Sequence, residues 1–365
     1  MIIVSTSYVS TPGFNDPVRW LNRISFYTGI LEKLAERHTV HSIEQINYTG
    51  KLERGKVTYH FFDPEKRQRY VPTTLHHYIK KLQPDVVLVN GLMFPFQVMQ
   101  LRWTLGSRAK IFLLHRAEKP TAGKRKWLQQ KADRYVDAYL FASDEIGKEW
   151  VRSGIIRDEL KIVEAIDASS SFFPTPRSEK AGDMAIVGHP VFIWVGRLDE
   201  NKDPVTVVKT FLQFVSREPG ATLYMIYQDE FLLSQLQGIV TQSNAPGSVK
   251  FIGAVPHTQL QEWYNASDFV FSGSHYEGSG IGVCEAMSCG CIPIVTNIPS
   301  FRRMTGPGQC GLLFEPGDQA DLLRVLMETK TMNLAKERLR TIQQFRDELS
   351  FDAIGRKIEN LLCKK

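Results

Sequence analysis

No cysteine occurs before position 284, and only five occur among the 365 residues: Cys284, Cys289, Cys291, Cys310 and Cys363. An odd number confined to the last quarter excludes a disulfide scaffold and predicts reduced thiols in a cytoplasmic setting. Cys289-x-Cys291 with Cys284 and Cys310 lacks zinc-site spacing, and His275 is the one histidine nearby, so no metal is expected. Runs of 18 apolar residues are also missing, which excludes a membrane-spanning helix. There is no fixed-period repeat and no low-complexity tract, so solenoids, coiled coils and collagen are excluded. The opening Met1-Ile-Ile-Val-Ser-Thr-Ser-Tyr8 lacks a basic n-region and a cleavage site. It reads as a first strand and not as a signal peptide.

What is present is the balance of an ordinary globular protein, with 43% hydrophobic and 23% charged residues. The length suits two domains of about 150 residues each. Charge is divided unevenly: residues 1–180 hold 28 Lys and Arg against 19 Asp and Glu, whereas residues 181–365 hold 17 against 20. A basic half joined to a mildly acidic half either faces an anionic surface or ligand, or simply keeps the protein soluble. The most basic stretch runs from Lys119 through Lys124, Arg125, Lys126, Trp127 and Lys131 to Arg134. It reads as a solvated helix face or as peripheral contact with an anionic membrane at its inner face. No nucleic-acid partner is expected.

Short apolar runs alternate with helical patterns, the signature of parallel sheets with crossover helices. In the first half Ile2–Ser5, Thr39–Ile43, Pro84–Asn90, Lys110–His115 and Ala138–Ser143 read as strands, and Leu21–Arg37 as one amphipathic helix. The stretch from Phe172 to Gly182, rich in Pro, Ser and charge, reads as a linker. Beyond it Val191–Val195, Ala221–Tyr227, Asp268–Ser272 and Cys291–Val295 read as strands. Pro204–Ser216 and Ser350–Leu362 read as helices, the last carrying Phe351, Ile354, Ile358, Leu361 and Leu362 on one side. The fold expected is α/β, two doubly wound domains, with ligands beyond the carboxyl ends of the strands and the cleft between the domains as the default site.

Two segments carry chemistry. Ser272-Gly-Ser-His-Tyr-Glu277-Gly-Ser-Gly-Ile-Gly-Val-Cys-Glu285 leaves a buried strand, passes Gly278, Gly280 and Gly282, and turns helical. Glycines there let backbone amides approach a ligand, and a helix N-terminus favours an anion such as a diphosphate. Glu277 and Glu285 bracket this anion hole and suit hydroxyl groups, a sugar on one side and a ribose on the other. The bland alternative is a tight turn with Glu285 complementing the helix dipole. The glycine spacing does not complete a dinucleotide fingerprint, and no acidic residue near position 300 supplies its partner. The second segment, Trp194-Val-Gly196-Arg197-Leu-Asp-Glu-Asn-Lys202-Asp-Pro204, places two cations after a strand. They can neutralise a leaving diphosphate in place of a metal ion, or pair with Asp199 and Asp203 in a solvated loop.

Together these segments resemble a family 4 retaining glycosyltransferase of the GT-B fold. The Gly-Arg-Leu…Lys-Asp-Pro run and the two glutamates of Glu277 and Glu285, followed by Glu-Ala-Met-x-Cys-Gly-Cys-Ile-Pro-Ile-Val, stand in that family's order and spacing. The likeness covers nearly the whole chain. It implies an acceptor domain over 1–180, a donor domain over 181–345, and a final helix over 346–365 crossing back onto the first domain. It also implies that Arg197 and Lys202 hold the donor diphosphate, Glu277 contacts the transferred sugar and Glu285 the ribose. Backbone from Gly196 and from Gly278, Ser279, Gly280, Ile281 and Gly282 would meet phosphate and sugar. Gly253, Ala254 and Val255, within Phe251–Pro256, would face the base, and His115 would lie beside the donor sugar. Gly13 and Asn15 in the first loop would contact the acceptor. Lys161–Asp167 with Phe173-Pro174 resembles the segment that closes the first domain.

The activity implied is transfer of a hexose-type sugar from a UDP- or GDP-sugar to a glycan or lipid-linked acceptor, as in polysaccharide or lipopolysaccharide biosynthesis, with retention and without a metal or other cofactor. A nucleotide-sugar epimerase, a phosphorylase of the same fold, or a non-catalytic sugar-nucleotide-binding subunit are the alternatives. Three positions depart from the family pattern. The first loop reads Ser10-Thr-Pro-Gly13-Phe-Asn-Asp-Pro17 and lacks paired glycines, Tyr227-Gln-Asp-Glu230 replaces a glycine-rich turn, and Arg116 follows His115.

Overall fold

The computed structural model describes residues 1–63, 71–176 and 186–363. The chain forms two compact units, one of Met1–Ser169 with Phe351–Lys365 and the other of Ser170–Ser350. Phe172–Arg177 was expected to begin a linker; residues 172–176 have no regular structure, and the rest of that stretch, with the expected boundary at 180/181, lies outside the described residues.

In the first unit the strands are β1 (Ile2–Ser7), β2 (Thr39–Gln45), β3 (Gly50–Arg54), β4 (Val57–Phe62), β5 (Val86–Asn90), β6 (Lys110–Leu114), β7 (Ala138–Phe141) and β8 (Ile162–Glu164). They lie in the order β3-β4-β2-β1-β5-β6-β7-β8, and β3 alone of these runs antiparallel to its neighbour. The central strands are continuous apolar runs because helices cover both faces; β5 and β6 are almost wholly buried. The hairpin of β3 and β4 was not anticipated. Its two-residue turn, Gly55-Lys56, has φ of 57° and 65°, the left-handed pair that matches strand twist in a tight hairpin.

The expected single helix over Leu21–Arg37 is instead two, Pro17–Arg23 and Ser25–Leu34. Asp16 caps the first, accepting from the amides of Val18 and Arg19 at 2.9 and 3.0 Å, with Pro17 at the first helical position. Ile24, at φ −98° and ψ 19°, leaves helical geometry and turns the chain between them. Helix Ser25–Leu34 receives the last helix of the chain, Phe351–Cys363, which belongs to this unit. The Phe351 ring lies over Gly29 so closely that a Cβ there would stand 2.6 Å from it. Lys33–Asp352 at 3.0 Å and Arg37–Glu359 at 2.9 Å flank that contact.

The second unit holds β9 (Val191–Val195), β10 (Thr222–Ile226), β11 (Val249–Gly253), β12 (Phe269–Ser272), β13 (Ile292–Thr296) and β14 (Leu312–Phe314). The order is β11-β10-β9-β12-β13-β14 and every pairing is parallel. Phe192, Phe211, Phe214, Phe269 and Phe271 form an aromatic core on one face, with Phe192 stacked on Phe269 and Phe271 at 5.0 and 5.1 Å. From β9 the chain winds outward first through β10 and β11, then restarts on the other side at β12. The gap between the carboxyl ends of β9 and β12 is therefore the topological switch point, where open α/β sheets bind ligands.

Candidate active site

Both chemical segments emerge at that switch point. The loop after β9 carries Gly196, Arg197 and Lys202, and the loop after β12 carries Glu277 and the glycines. Because β9 and β12 are neighbours, the two loops run side by side. Gly273 lets them touch: a Cβ there would stand 2.9 Å from the Asp203 carbonyl oxygen and 3.1 Å from that of Lys202. The result is a Lys202–Glu277 ion pair, partly buried on both sides. Ser274 Oγ donates to Glu277 Oε1 at 2.7 Å, and Thr296 Oγ1 fixes the Ser274 carbonyl at 2.6 Å. Lys202 is set by its own turn, its amide donating to Asp199 Oδ1 at 2.9 Å. Asp203 follows at φ 44° and caps helix Pro204–Val215 through the Thr206 amide.

The glycine run ends in helix Ile281–Ser288, whose cap is Gly280 in the left-handed region with no side chain to satisfy the first amides. A Cβ on Gly280 would stand 2.6 Å from Phe301 Cε1 and 3.3 Å from Met304 Sδ. The helix start is thus pressed against Phe301, and no side chain caps its first amides, a setting that suits an anion. One turn further, Glu285 is buried, and His257 Nε2 lies 2.6 Å from its Oε1. The carboxylate pushes the His257 pKa up through that hydrogen bond, against the opposing effect of burial. Burial first, and Glu285 next, push the Tyr264 phenol well up.

His257 and Ser274 were not singled out in the sequence. His257 opens a helix directly after Phe251–Pro256, so its position beside that loop was the available signal; its meeting with Glu285, 28 residues away, was not. Gly196 donates its amide to the Ile226 carbonyl at 3.1 Å. Arg197 is 63% exposed and lies 3.2 Å from Asp199. Gly253, at φ 80°, ends β11 and accepts from the Tyr227 amide at 3.1 Å, and Ala254 and Val255 continue into the following loop. Arg197, Lys202, Glu277, Glu285 and the run Gly278–Gly282 therefore share the carboxyl edge of one sheet.

His115 belongs to the first unit. Its side chain is fully buried, packed on Phe141 and Trp150; Nε2 donates to the Glu118 carbonyl at 2.7 Å, and Nδ1 has no hydrogen-bond partner. The neighbouring Arg116 is part of a polar cluster at the ends of β1 and β5. It donates to Asp167 Oδ2 at 2.6 Å and Asn90 Oδ1 at 2.5 Å, and its guanidinium lies 4.7 Å from the centre of the Tyr27 ring. Gly13, at φ 88°, donates its amide to Asn47 Oδ1, and Asn15 is exposed. Cys284, Cys289, Cys291 and Cys310 are buried outside any disulfide, and burial pushes the thiols of Cys289 and Cys310 up to about 12. Among the described residues no three His, Cys, Asp or Glu side chains gather as a metal ion would need, and no helix is long and apolar enough to cross a membrane.

One comparison with known proteins takes in both segments. The family model described as "Glycosyl transferases group 1" matches residues 178–347. The D-inositol 3-phosphate glycosyltransferase of Thermomonospora curvata is 24% identical over 157 residues, 41% of this chain and 36% of that protein. The GDP-mannose:cellobiosyl-diphosphopolyprenol alpha-mannosyltransferase of Xanthomonas oryzae is 23% identical over 237 residues, 63% of this chain and 60% of that protein. The chain thus spans less than two thirds of the length of either relative. The structure of Anabaena HepE in complex with UDP superposes with a TM-score of 0.74 at 15% identity, covering 99% of both chains. The fold is GT-B, with two parallel-sheet domains.

Proposed function

We propose that this chain is a group 1 glycosyltransferase of the retaining type, family 4. It moves a hexose-type sugar from a UDP- or GDP-sugar to a glycan or lipid-linked acceptor, without a metal. The observation that carries this reading is the Lys202–Glu277 ion pair beside an uncapped helix N-terminus at the switch point of the second sheet. A cation, a carboxylate and a row of backbone amides at one strand edge suit a sugar diphosphate: the amides and Lys202 take phosphate oxygens, and Glu277 takes sugar hydroxyls. The family-model match over the same residues and the UDP in one solved neighbour support it.

On this reading Arg197 and Lys202 stabilise charge as the diphosphate departs, which is electrostatic catalysis by groups already in place. Glu277 orients the sugar and is no covalent nucleophile; the acceptor oxygen attacks from the face that the diphosphate leaves. Glu285 holds ribose hydroxyls, Gly253–Val255 face the base, and the acceptor is held by the first unit, with Gly13 and Asn15 in contact and His115 beside the transferred sugar.

The test is thermal-shift and calorimetric binding of UDP, GDP, ADP and their common sugar conjugates to the full chain, with EDTA present. Stabilisation by one nucleotide family, lost in Arg197→Ala with Lys202→Ala, is the result expected. Binding of none overturns the donor assignment. A nucleotide-sugar epimerase would bind the donor but return a rearranged sugar nucleotide, and a non-catalytic subunit would bind it with no product from any acceptor.

A further inference from the structure

We propose that the two helices Pro95–Leu105 and Gly123–Ala132 of the first unit form a docking face for an anionic lipid surface, a property separate from sugar transfer. The two helices pack side by side. Each turns a large aromatic outward: Trp103 is 62% and Trp127 56% exposed, and Phe96 is exposed as well. The tryptophans are joined along one stripe. Lys131 lies 5.4 Å from the Trp127 ring centre, one turn along the same helix. Tyr135 follows one further turn on, and its ring meets Trp103 edge-on at 6.3 Å. Trp127, Lys131, Tyr135 and Trp103 therefore line a single face.

Positive charge predominates around that stripe, and the exposed Asp137 beside it is paired with Arg102 at 2.5 Å. Residues 119–134 hold six basic side chains and one acidic residue, Asp133. Asp133 is buried and engaged by Lys161 at 3.3 Å, so it does not offset the exposed Lys124, Arg125 and Arg134. Helix Gly123–Ala132 has low apolar content apart from Trp127 and Leu128, so burial in the core does not explain its aromatic. Cations that attract phosphate headgroups, with tryptophan rings at the depth where headgroup meets acyl chain, form the pattern of a protein that lies on a membrane without crossing it. An apolar protein partner would be matched by the aromatics but not by the surrounding cations; an anionic bilayer is matched by both.

The test uses the full chain and vesicles of phosphatidylcholine alone or mixed with an equal part of phosphatidylglycerol. Co-sedimentation with the mixed vesicles only, reversed by salt, is expected, together with quenching of tryptophan emission by brominated lipid. Lys124→Gln with Arg125→Gln should weaken binding about tenfold or more, as loss of two surface charges implies. Trp103→Ser with Trp127→Ser should abolish the quenching while leaving far-ultraviolet circular dichroism and nucleotide binding unchanged. Equal binding to neutral vesicles, no binding to mixed vesicles, or binding unaltered by both pairs of substitutions would each overturn the assignment. Nucleotide binding is read separately, so failure here does not touch the donor site.

Discussion

Lys202 illustrates how much of the site rests on single side chains. It is held by its turn on one side and by Glu277 on the other. Lys202→Met should lower turnover by about 100-fold or more, the scale on which a preorganised charge stabiliser matters, with little change in donor KM if the charge acts mainly in the transition state. Steady-state kinetics against a donor identified by the binding panel decides it; unchanged kcat would remove Lys202 from the chemistry. Gly280 is a second such residue. Gly280→Ala forces a Cβ into Phe301 at a left-handed position, and should cost about 1–3 kcal/mol and displace the helix start. Melting temperature and nucleotide affinity should fall together; loss of either one alone would argue against the coupling. His257 adds a pH test. Its folded pKa is raised by Glu285, so the stabilisation is present in full below the ordinary imidazole pKa and is lost as pH rises through the folded value. His257 is half exposed, which keeps the effect small. His257→Asn should lower the melting temperature at acid-to-neutral pH and have less effect two units above neutrality; an offset constant with pH would sink the ion-pair account.

At the scale of elements, the closing helix depends on one glycine. Gly29 admits the tip of the Phe351 ring, and Gly29→Val should push helix Phe351–Cys363 off helix Ser25–Leu34. A loss of about 2–4 kcal/mol is expected, as for overpacking together with lost apolar burial, with faster hydrogen exchange in residues 351–363. Chemical-denaturant melts measure the first and peptide-resolved exchange the second; protection retained in that helix would show that the contact yields. What the sequence revealed of the elements follows from the same physics. β5, β9 and β13 were legible because strands buried on both faces are continuous apolar runs. β3 was not, since Gly50-Lys-Leu-Glu-Arg54 is a half-exposed edge strand with charged side chains and no apolar run. The break at Ile24 was missed because apolar spacing continues across it and only the Asp16-Pro17 cap, upstream, marks a new start. The placement of Arg197 and Lys202 after β9, and of Glu277 and Glu285 after β12, was legible from the apolar runs that precede them. The pairing of Glu285 with His257 arises from tertiary approach across 28 residues, which no local pattern encodes.

Across the whole molecule, the two units should respond differently to mild acid. The histidines held below their ordinary pKa lie in the first unit: burial lowers His60 and His76 to about 4, and lowers His41 and His38 as well. His60 Nε2 meets His41 Nδ1 at 3.1 Å while Tyr78 Oη meets His60 Nδ1 at 2.8 Å, and Tyr8 Oη meets His76 Nε2 at 2.9 Å. If both members of the His41–His60 pair carry an extra proton, two N–H groups oppose each other and the bond is lost. The folded pKa values lie below the unfolded ones, so the unfolded chain takes up protons first as pH falls. The stability these groups confer is complete above about pH 6.5 and disappears as pH approaches the folded values of about 4. His60 and His76 are both buried, so solvent cannot accommodate the added charge. In the second unit His257 is shifted the other way, so lowering pH from neutrality favours its pairing with Glu285. Lowering pH from neutrality to about 5, midway between those limits, should therefore raise hydrogen exchange in peptides of β2, β4 and helix Thr73–Lys81 before those around β9 and β12. His60→Asn combined with His76→Gln should flatten that response, because amides keep a hydrogen bond without titrating. Equal loss of protection in both units, or a response unchanged by the double substitution, would place the acid sensitivity elsewhere.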